Sequence, residues 1–181
     1  MENTLRFYST LAREERVVEP ICLVIPPSIF LLDERVFMTL GILKIAAVLE
    51  NAGVSVHVMD LSGVKNYLDV VRDYVRASPD VKIFGLTVTT PQLPAISEIA
   101  RTLRSVRYDL KIILGCPHLT LINAAWKREK KLGVSGRATY AIHQAENMFD
   151  VLVAGDGEGA IFKALEPDSP KLIDADDLHS E

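Results

Sequence analysis

Five short apolar runs recur along the chain, and each is followed by a longer segment with helical periodicity. The runs span residues 21–25, 54–59, 82–88, 111–114 and 151–154. The first run is apolar throughout, which is typical of a strand that is buried on both faces of a parallel sheet. Strands that alternate with helices in this way fold as a doubly wound sheet with helices on both sides. The sequence therefore predicts an α/β domain with five parallel strands.

The segments between these runs have the spacing of amphipathic helices. We predict helices at 38–52, 64–77, 119–132, 138–148 and 160–165, and another that begins at Pro91 or Pro94. In the first helix, the predicted buried face consists of Leu40, Leu43 and Ala47, widened by Ile42, Ile45 and Leu49. Gly53 is a candidate C-cap for that helix, and Asp60 or Ser62 a candidate cap for the next.

Length and charge restrict the kind of protein that this chain represents. Its 181 residues suit one domain, with 1–20 as a leading arm, 21–165 as the domain and 166–181 as an acidic tail or severed linker. The net charge of -4 argues against nucleic acid as a partner, because phosphate binding needs a basic face. No apolar run has the length of a membrane span, and the N-terminus lacks an apolar signal core. Two cysteines, predicted to be reduced and buried, fit a cytoplasmic setting.

The stretch from Lys111 to Thr120 reads as strand, tight turn and helix. In a parallel sheet such a turn lies at the carboxyl end of its strand, which is where these folds bind ligands. Gly115 removes a side chain where a large ligand needs close approach to the backbone. His118 and Thr120 bring polar groups to the same rim. The turns after the third and fifth predicted strands add further threonines and glycines to this edge.

Several common ligand sites are absent from these turns. A dinucleotide-binding fold carries G-x-G-x-x-G after its first strand, but here that place holds Pro26, Pro27 and Ser28. A Walker phosphate loop is also absent. The third run ends in threonines without the carboxylate that a phosphoacceptor receiver requires, and no spacing of cysteine and histidine indicates a zinc site.

The remaining pattern resembles the cobalamin-binding domain found ahead of the catalytic barrel in radical S-adenosylmethionine enzymes. The resemblance covers about residues 22–160 and depends on the order of five short pieces. These are Pro26-Pro27, the helix 40–53, the segment Gly85-Leu86-Thr87-Val88-Thr89-Thr90-Pro91, the turn Leu114-Gly115-Cys116-Pro117-His118-Leu119-Thr120, and Gly155-Asp156-Gly157-Glu158. The last piece is similar to the G-[ED]-G-E turn of that family.

The resemblance implies a flavodoxin-like, Rossmann-like three-layer sandwich that binds cobalamin and, through it, a cobalt ion. The ring of a corrinoid is broad and flat, so it needs an open rim of small residues, and hydroxyl groups can bind its amide arms or its nucleotide tail. The residues that the resemblance assigns to cobalamin are Pro27, Thr87, Thr89, Thr90, Gly115, Cys116, Pro117, His118, Thr120, Gly155, Gly157 and Glu158.

Three departures from related families refine the expectation. Cys116 stands where the family usually has a second glycine. The D-x-H-x-x-G motif that supplies an axial histidine in the methionine synthase type of domain is absent, so we expect no protein imidazole below the cobalt. With only two cysteines, the chain also lacks the Cys-x-x-x-Cys-x-x-Cys motif of an iron–sulfur cluster. We therefore expect it to be inactive alone and to serve a radical S-adenosylmethionine catalytic domain in the same or another chain.

Each candidate residue also has an ordinary structural explanation. The ordinary explanation of the threonines after the third run is helix capping, that of His118 is a bond to its own loop, and that of Glu158 is stabilisation of a helix N-terminus. The lysine-rich segment 127–131 is expected to be a solvated helix end, and Trp126 to belong to the core or an interface. For the whole chain, the alternative to cobalamin binding is a non-catalytic interaction module that kept the fold and lost the cofactor.

Overall fold

The computed structural model describes residues 19–28 and 39–178. Most of the predicted leading arm lies outside the described residues. The sequence also predicts a loop with large apolar residues at 28–37, and all of it except Ser28 lies outside them as well. None of the helices in the described part of the chain is both long and apolar enough to cross a membrane.

Within the described residues, six parallel strands form one sheet, with the spatial order β2-β1-β3-β4-β5-β6. The strands are β1 (Ile21–Ile25), β2 (Val56–Asp60), β3 (Ile83–Leu86), β4 (Lys111–Gly115), β5 (Val151–Ala154) and β6 (Leu172–Asp174). The first five confirm the predicted strands and the α/β class.

The sixth strand corrects the predicted count of five, because it lies in the stretch expected to be an acidic tail. It has only three residues between polar flanks, so it carries no readable alternation in the sequence. The strand β6 forms because it pairs with β5, with Leu172 in register with Leu152. In this position Ile173 is only 2% exposed.

The helices are α1 (Leu40–Asn51), α2 (Tyr67–Ala77), α3 (Leu93–Val106), α4 (Pro117–Lys131), α5 (Arg137–Met148), α6 (Gly157–Leu165) and α7 (Ala175–Leu178). A short 3-10 turn, Thr90–Gln92, precedes α3. Buried residues of α2 to α5 pack on one face of the sheet, whereas those of α1, α6 and α7 pack on the other. These layers confirm the three-layer sandwich.

Alternation along β1 shows how one apolar run serves both layers. Cys22 and Val24 join the core under α2 to α5, while Ile21, Leu23 and Ile25 join the core under α1 and α6. All five residues are buried. Continuous apolarity is therefore the signature of a strand that is covered twice.

Helix α1 presents only part of its predicted face to the sheet. Of the residues expected to be buried, Leu40, Leu43 and Ala47 are exposed and Ile45 is half-buried, whereas Ile42 and Leu49 are buried. The buried stripe consists of Ile42, Ala46 and Leu49. Both stripes are apolar, so helical periodicity alone does not choose between them; packing on β1 and β2 does. Gly53 has a φ of 83° just after the helix, which confirms the predicted glycine end.

The cap predicted for the second helix was wrong. Helix α2 begins at Tyr67, after Asn66, and neither predicted cap lies at its start. Asp60 instead accepts a hydrogen bond from the backbone N–H of Ser62 at 2.9 Å, which stabilises the turn after β2. An acidic residue before a helix can thus stabilise a turn rather than the helix end.

The lysine-rich end of α4 was expected to be only a solvated helix end, but Glu129 within it caps α5. Its carboxylate accepts hydrogen bonds from the backbone N–H groups of Gly136, Ala138 and Thr139 at 3.0, 3.1 and 2.8 Å. The hydroxyl of Thr139 donates a fourth at 2.6 Å. These bonds, above all those from Thr139, lower the pKa of Glu129 to about 2.

The Glu129→Gln substitution should lower the thermal unfolding midpoint at neutral pH, because an amide replaces the charged acceptor. Since the folded pKa lies below the ordinary value of 4.5, the carboxylate stabilises the fold above that pH. Its contribution is lost as the pH falls towards 2, the folded-state pKa. The difference between variant and wild type should therefore shrink over that range in calorimetry. Glu146→Gln on α5 is the control, and a difference that does not change with pH contradicts this role for Glu129.

Candidate functional site

The turns after β3, β4 and β5 meet at the carboxyl edge of the sheet, beside the first turns of α1 and α6. Between these two helices lies a cavity of about 670 Å³, a typical volume for a small-molecule site. Eight of the predicted cobalamin residues line it: Thr87, Gly115, Cys116, Pro117, Thr120, Gly155, Gly157 and Glu158. Four predicted residues are not part of the lining: Pro27, Thr89, Thr90 and His118.

The floor of the cavity is the face of the sheet between α1 and α6. Leu23, Gly85 and Ile113 lie side by side on β1, β3 and β4, because Gly85 is in register with both neighbours. Ile42 and Ile45 of α1 and Ile161 of α6 form the walls, and Val153 of β5 completes the floor. The deep part of the cavity is therefore apolar.

Gly85 was missed as a site residue by sequence reasoning. A Cβ added at this position would lie 2.7 Å from Cδ2 of Leu23, so any side chain here would force Leu23 to shift. The available signal was a single glycine inside an otherwise apolar strand, which often marks close approach by a ligand or another backbone.

The three glycines predicted at the rim differ in whether the local structure requires a glycine at that position. Gly155 has a φ of 85°, a conformation that other residues rarely adopt, and a Cβ there would lie 3.0 Å from Cβ of Ala175. A Cβ on Gly157 would lie 2.8 Å from Cδ1 of Ile45, so this glycine lets α6 approach α1. At Gly115 a Cβ would make an ordinary contact of 3.6 Å with Cβ of Val153. Only Gly115 is free of a local packing demand.

The side chain of Cys116 is accommodated by the start of α4. This residue is the N-cap of the helix in an extended conformation, and its Sγ accepts a hydrogen bond from the N–H of Leu119 at 3.3 Å. The residue is 8% exposed and belongs to the core on the α4 side of the sheet. Burial raises the pKa of the thiol, which favours its protonated form. A cysteine at this family position thus leaves the cavity open.

Thr120 holds two of the rim turns together. Its hydroxyl donates to the carbonyl of Cys116 at 3.2 Å and accepts from the backbone N–H of Gly155 at 3.0 Å. The turn after β4 is thereby tied to the turn after β5 that contains Gly155. This contact gives Thr120 a structural role at the rim of the cavity.

The threonines after β3 have different roles, because one lines the cavity and another caps the short 3-10 turn. Thr87 lines the cavity, but Thr89 donates to Oε1 of Gln92 from its backbone N–H at 3.0 Å and from its hydroxyl at 2.8 Å. The side-chain amide of Gln92 donates in turn to the carbonyl of Pro26 at 3.0 Å. For Thr89 the capping alternative is therefore the one that the structure supports, and Gln92 connects the turns after β1 and β3.

His118 and Thr90 form a pair outside the cavity lining. The hydroxyl of Thr90 lies 2.8 Å from Nδ1 of His118, which joins the turn after β3 to the start of α4. Partial burial lowers the pKa of His118 and favours its neutral form. His118 therefore does bond a loop, as the ordinary structural explanation requires, but the loop is the turn after β3 and not its own.

An ion pair joins the two helices beside the cavity. Nζ of Lys44 on α1 lies 2.8 Å from Oε1 of Glu158 on α6, although the residues are 114 positions apart. The contact raises the pKa of Lys44 and lowers that of Glu158. Glu158 was predicted to be a site residue, whereas Lys44, Gly41 and Ile45 were not. Nothing in a single sequence indicates which residues of α1 face a turn so far along the chain.

The fold and the cavity together define a ligand-binding α/β domain with its site at the carboxyl edge of a parallel sheet. The B12 binding domain family matches residues 34–153, two thirds of the chain. The chain therefore belongs to the B12 binding domain family, which confirms the resemblance seen in the sequence. Among curated proteins, none matches this chain.

Two solved structures match this chain in a comparison of structures, and the first of them shows the same fold. One is the radical S-adenosylmethionine methyltransferase TsrM from Kitasatospora setae, with tryptophan substrate and the analogue aza-SAM bound. It matches with a TM-score of 0.56 and 16% identity over 81% of this chain and 25% of that enzyme. The other is a carbon–sulfur lyase involved in aluminum resistance from Clostridium novyi NT, with a TM-score of 0.41, 9% identity and coverage of 60% and 26%. The second likeness is too weak to carry an argument, and the first spans a quarter of the larger enzyme.

Thr120→Val should destabilise the domain by about 1–3 kcal/mol, because it leaves the N–H of Gly155 without its partner. Urea unfolding followed by circular dichroism measures the change. Thr120→Ser keeps the hydroxyl and should retain most of the stability. A valine variant within about 0.5 kcal/mol of wild type would show that the two turns do not depend on this contact.

Proposed function

We propose that this chain binds cobalamin in the cavity between α1 and α6 and supplies it to a radical S-adenosylmethionine methyltransferase-type active site. Family membership supports the cofactor. The observation that carries the proposal is an open, glycine-lined cavity at the carboxyl edge, in the place where doubly wound folds bind ligands. When bound, the corrinoid supplies methyl-group transfer or redox chemistry.

The residues at this edge fit a corrinoid. Gly115, Gly155 and Gly157 keep side chains off the rim, so a broad ring can approach the backbone. Thr87, Lys44 and Glu158 place a hydroxyl and two charged groups beside the same opening, where amide arms need hydrogen-bond partners. The apolar floor lies deeper. A polar ring edge and an apolar interior are the two environments that such an amphipathic cofactor requires.

The open cavity favours cofactor binding over the alternative of an interaction module that lost the cofactor. A domain without a ligand gains stability when apolar side chains fill such a space, because cavities cost packing energy. Here the central floor position is a glycine, and Cys116 turns its sulfur into the helix cap. Both features keep the cavity open, whereas a module without a cofactor would be more stable with the cavity filled.

A separate catalytic domain is part of the proposal. The two cysteines of the chain, Cys22 and Cys116, are both buried and free, and they are too few for a three-cysteine cluster motif. The chain also spans only a quarter of the similar methyltransferase. We therefore place the iron–sulfur cluster and the catalytic step in another domain of the same or another chain. Two buried thiols also support a reducing, cytoplasmic setting.

Gly115→Leu should abolish the retention of cobalamin with little loss of stability, because the leucine enters the cavity while nothing local demands glycine. Purified protein is mixed with hydroxocobalamin, desalted and examined by its visible spectrum. Gly115→Ala is the control, since its Cβ makes only an ordinary contact, and it should retain the cofactor. Gly157→Leu is a poorer test, because its side chain also meets Ile45. Undiminished binding by Gly115→Leu would place the site elsewhere.

Bound cobalamin should have its own base off the cobalt and no protein imidazole in its place. His118 is paired with Thr90, and His57 in β2 lies with Nδ1 2.5 Å from the hydroxyl of Tyr74. Electron paramagnetic resonance of the Co(II) form should then show cobalt lines that are not split, since an axial nitrogen splits each line into a triplet. Splitting that disappears in His118→Ala would identify His118 as the ligand and contradict the prediction.

A further inference from the structure

Helix α1 carries apolar residues that its contact with the sheet does not bury. Leu40 and Leu43 are 64% and 40% exposed, and Ala47 is exposed as well. These residues follow helical spacing, so they form a stripe along the outside of the helix. A helix that is apolar beyond its core-facing stripe is typical of one that is covered on a second side. Within the described residues, this second side of α1 is open to solvent.

The outer stripe of α1 is turned away from α6. A Cβ built on Gly157 would lie 2.8 Å from Cδ1 of Ile45, so Ile45 points towards α6. Leu43 and Ala47 are each two residues from Ile45, which is about 200° round a helix. Helix α1 packs on β1 and β2, and β2 is the last strand on that side of the sheet. Leu43 and Ala47 therefore face the outer edge of β2.

Val58 in β2 continues this apolar surface onto the sheet. It is in register with Leu23, which belongs to the core under α1 and α6. Paired residues of parallel strands point to the same side of the sheet, so Val58 points to the side of α1. It is nevertheless 47% exposed. Together with Leu40, Leu43 and Ala47 it forms an apolar surface along the outer edge of β2, the edge surface.

The backbone of β2 offers hydrogen-bonding groups beside the edge surface. The carbonyl of Ser55 and the N–H of Leu61 bond to β1, each at 3.0 Å. Successive residues of a parallel strand bond to alternate sides, so Val56, Val58 and Asp60 turn their N–H and C=O groups outward. No strand of the described residues pairs with these groups. The edge can therefore accept a further strand.

The sequence of β2 does nothing to prevent such pairing. Exposed edge strands are usually protected by lysine, proline or a bulge. β2 reads Val-His-Val-Met-Asp, and its carboxylate stands at the end of the strand. There Asp60 accepts a hydrogen bond from the N–H of Ser62 at 2.9 Å. An apolar and unprotected edge of this kind is typical of a strand that is paired in the assembled protein.

We propose that the edge surface is the interface of a symmetric dimer, in which the β2 strands of two copies pair antiparallel about Val58. The occupant has to supply a strand edge and an apolar helix stripe side by side, and a second copy supplies both. A two-fold axis at Val58 places the two Val58 side chains together and Val56 opposite Asp60, so no like charges face each other. The outer stripes of the two α1 helices meet on the same side of the joined sheet. Each copy buries the same residues, as a two-fold interface requires.

The dimer leaves the cavity free. The cavity lies on the α6 side of α1, whereas the edge surface lies on the other side of that helix. The inference therefore does not depend on the proposed function, and its failure would leave cobalamin binding untouched.

Sedimentation equilibrium of the full chain tests the dimer. We expect wild type to have the mass of two chains. Val58→Lys should stay folded by circular dichroism but become monomeric, because symmetry would place lysine beside lysine. The dissociation constant should rise by about a hundredfold or more, since like charges in an interface are strongly repelled. Val134→Lys is the matched control. Its valine is 54% exposed in the turn after α4, and this variant should remain a dimer.

A mixture of two variants tests the register of the pairing. Val58→Lys and Val58→Glu should each be monomeric alone, and an equimolar mixture should dimerise because opposite charges then face each other. Leu43→Lys should also dissociate the dimer, without a change in β2. A dimer that survives both lysine variants, or a mixture that stays monomeric, contradicts the proposal. So does a monomeric wild type; slow exchange of its β2 amides would then show that the chain itself covers this edge.

Discussion

Helices α1 and α6 pack on opposite sides of one face of the six-stranded sheet, and they approach each other where Gly157 faces Ile45 and Lys44 pairs with Glu158. Helix α1 packs on β1 and β2, and α6 packs on β5 and β6. The middle strands β3 and β4 lie between them, and their buried residues Gly85 and Ile113 line the cavity. On the other face four helices complete the core. The cavity therefore exists because the helices on this face leave a space over the middle strands. The absence of a side chain at Gly85 helps to keep that space open.

The turns around this space are held by contacts that leave the glycines in place. Thr120 ties the turn after β4 to Gly155, and Gln92 ties the turn after β3 to Pro26. Lys44 and Glu158 join the two helices that form the walls. Each contact connects elements that are distant in sequence. The rim can therefore be preorganised for a ligand without side chains that project into the cavity.

The sequence was most informative where a residue has one physical explanation. Continuous apolar runs placed five strands, and glycine turns placed the edge of the sheet that carries the cavity. It was less informative where two arrangements satisfy the same pattern. Helix α1 is apolar on more than one face, so three of the residues predicted to be buried on it are exposed, and β6 is too short to carry a pattern. The Glu129 cap and the Lys44 pair depend on residues brought together by the fold, and composition does not encode them.

The corrinoid site between α1 and α6 is the central claim, and amide hydrogen exchange with and without hydroxocobalamin tests it most directly. The account predicts slower exchange in the turns after β3, β4 and β5 and in the first turns of α1 and α6. Helix α2, which packs on the opposite face, should exchange at the same rate in both samples. Protection confined to α2 to α5, or no protection at saturating cofactor, would contradict the account.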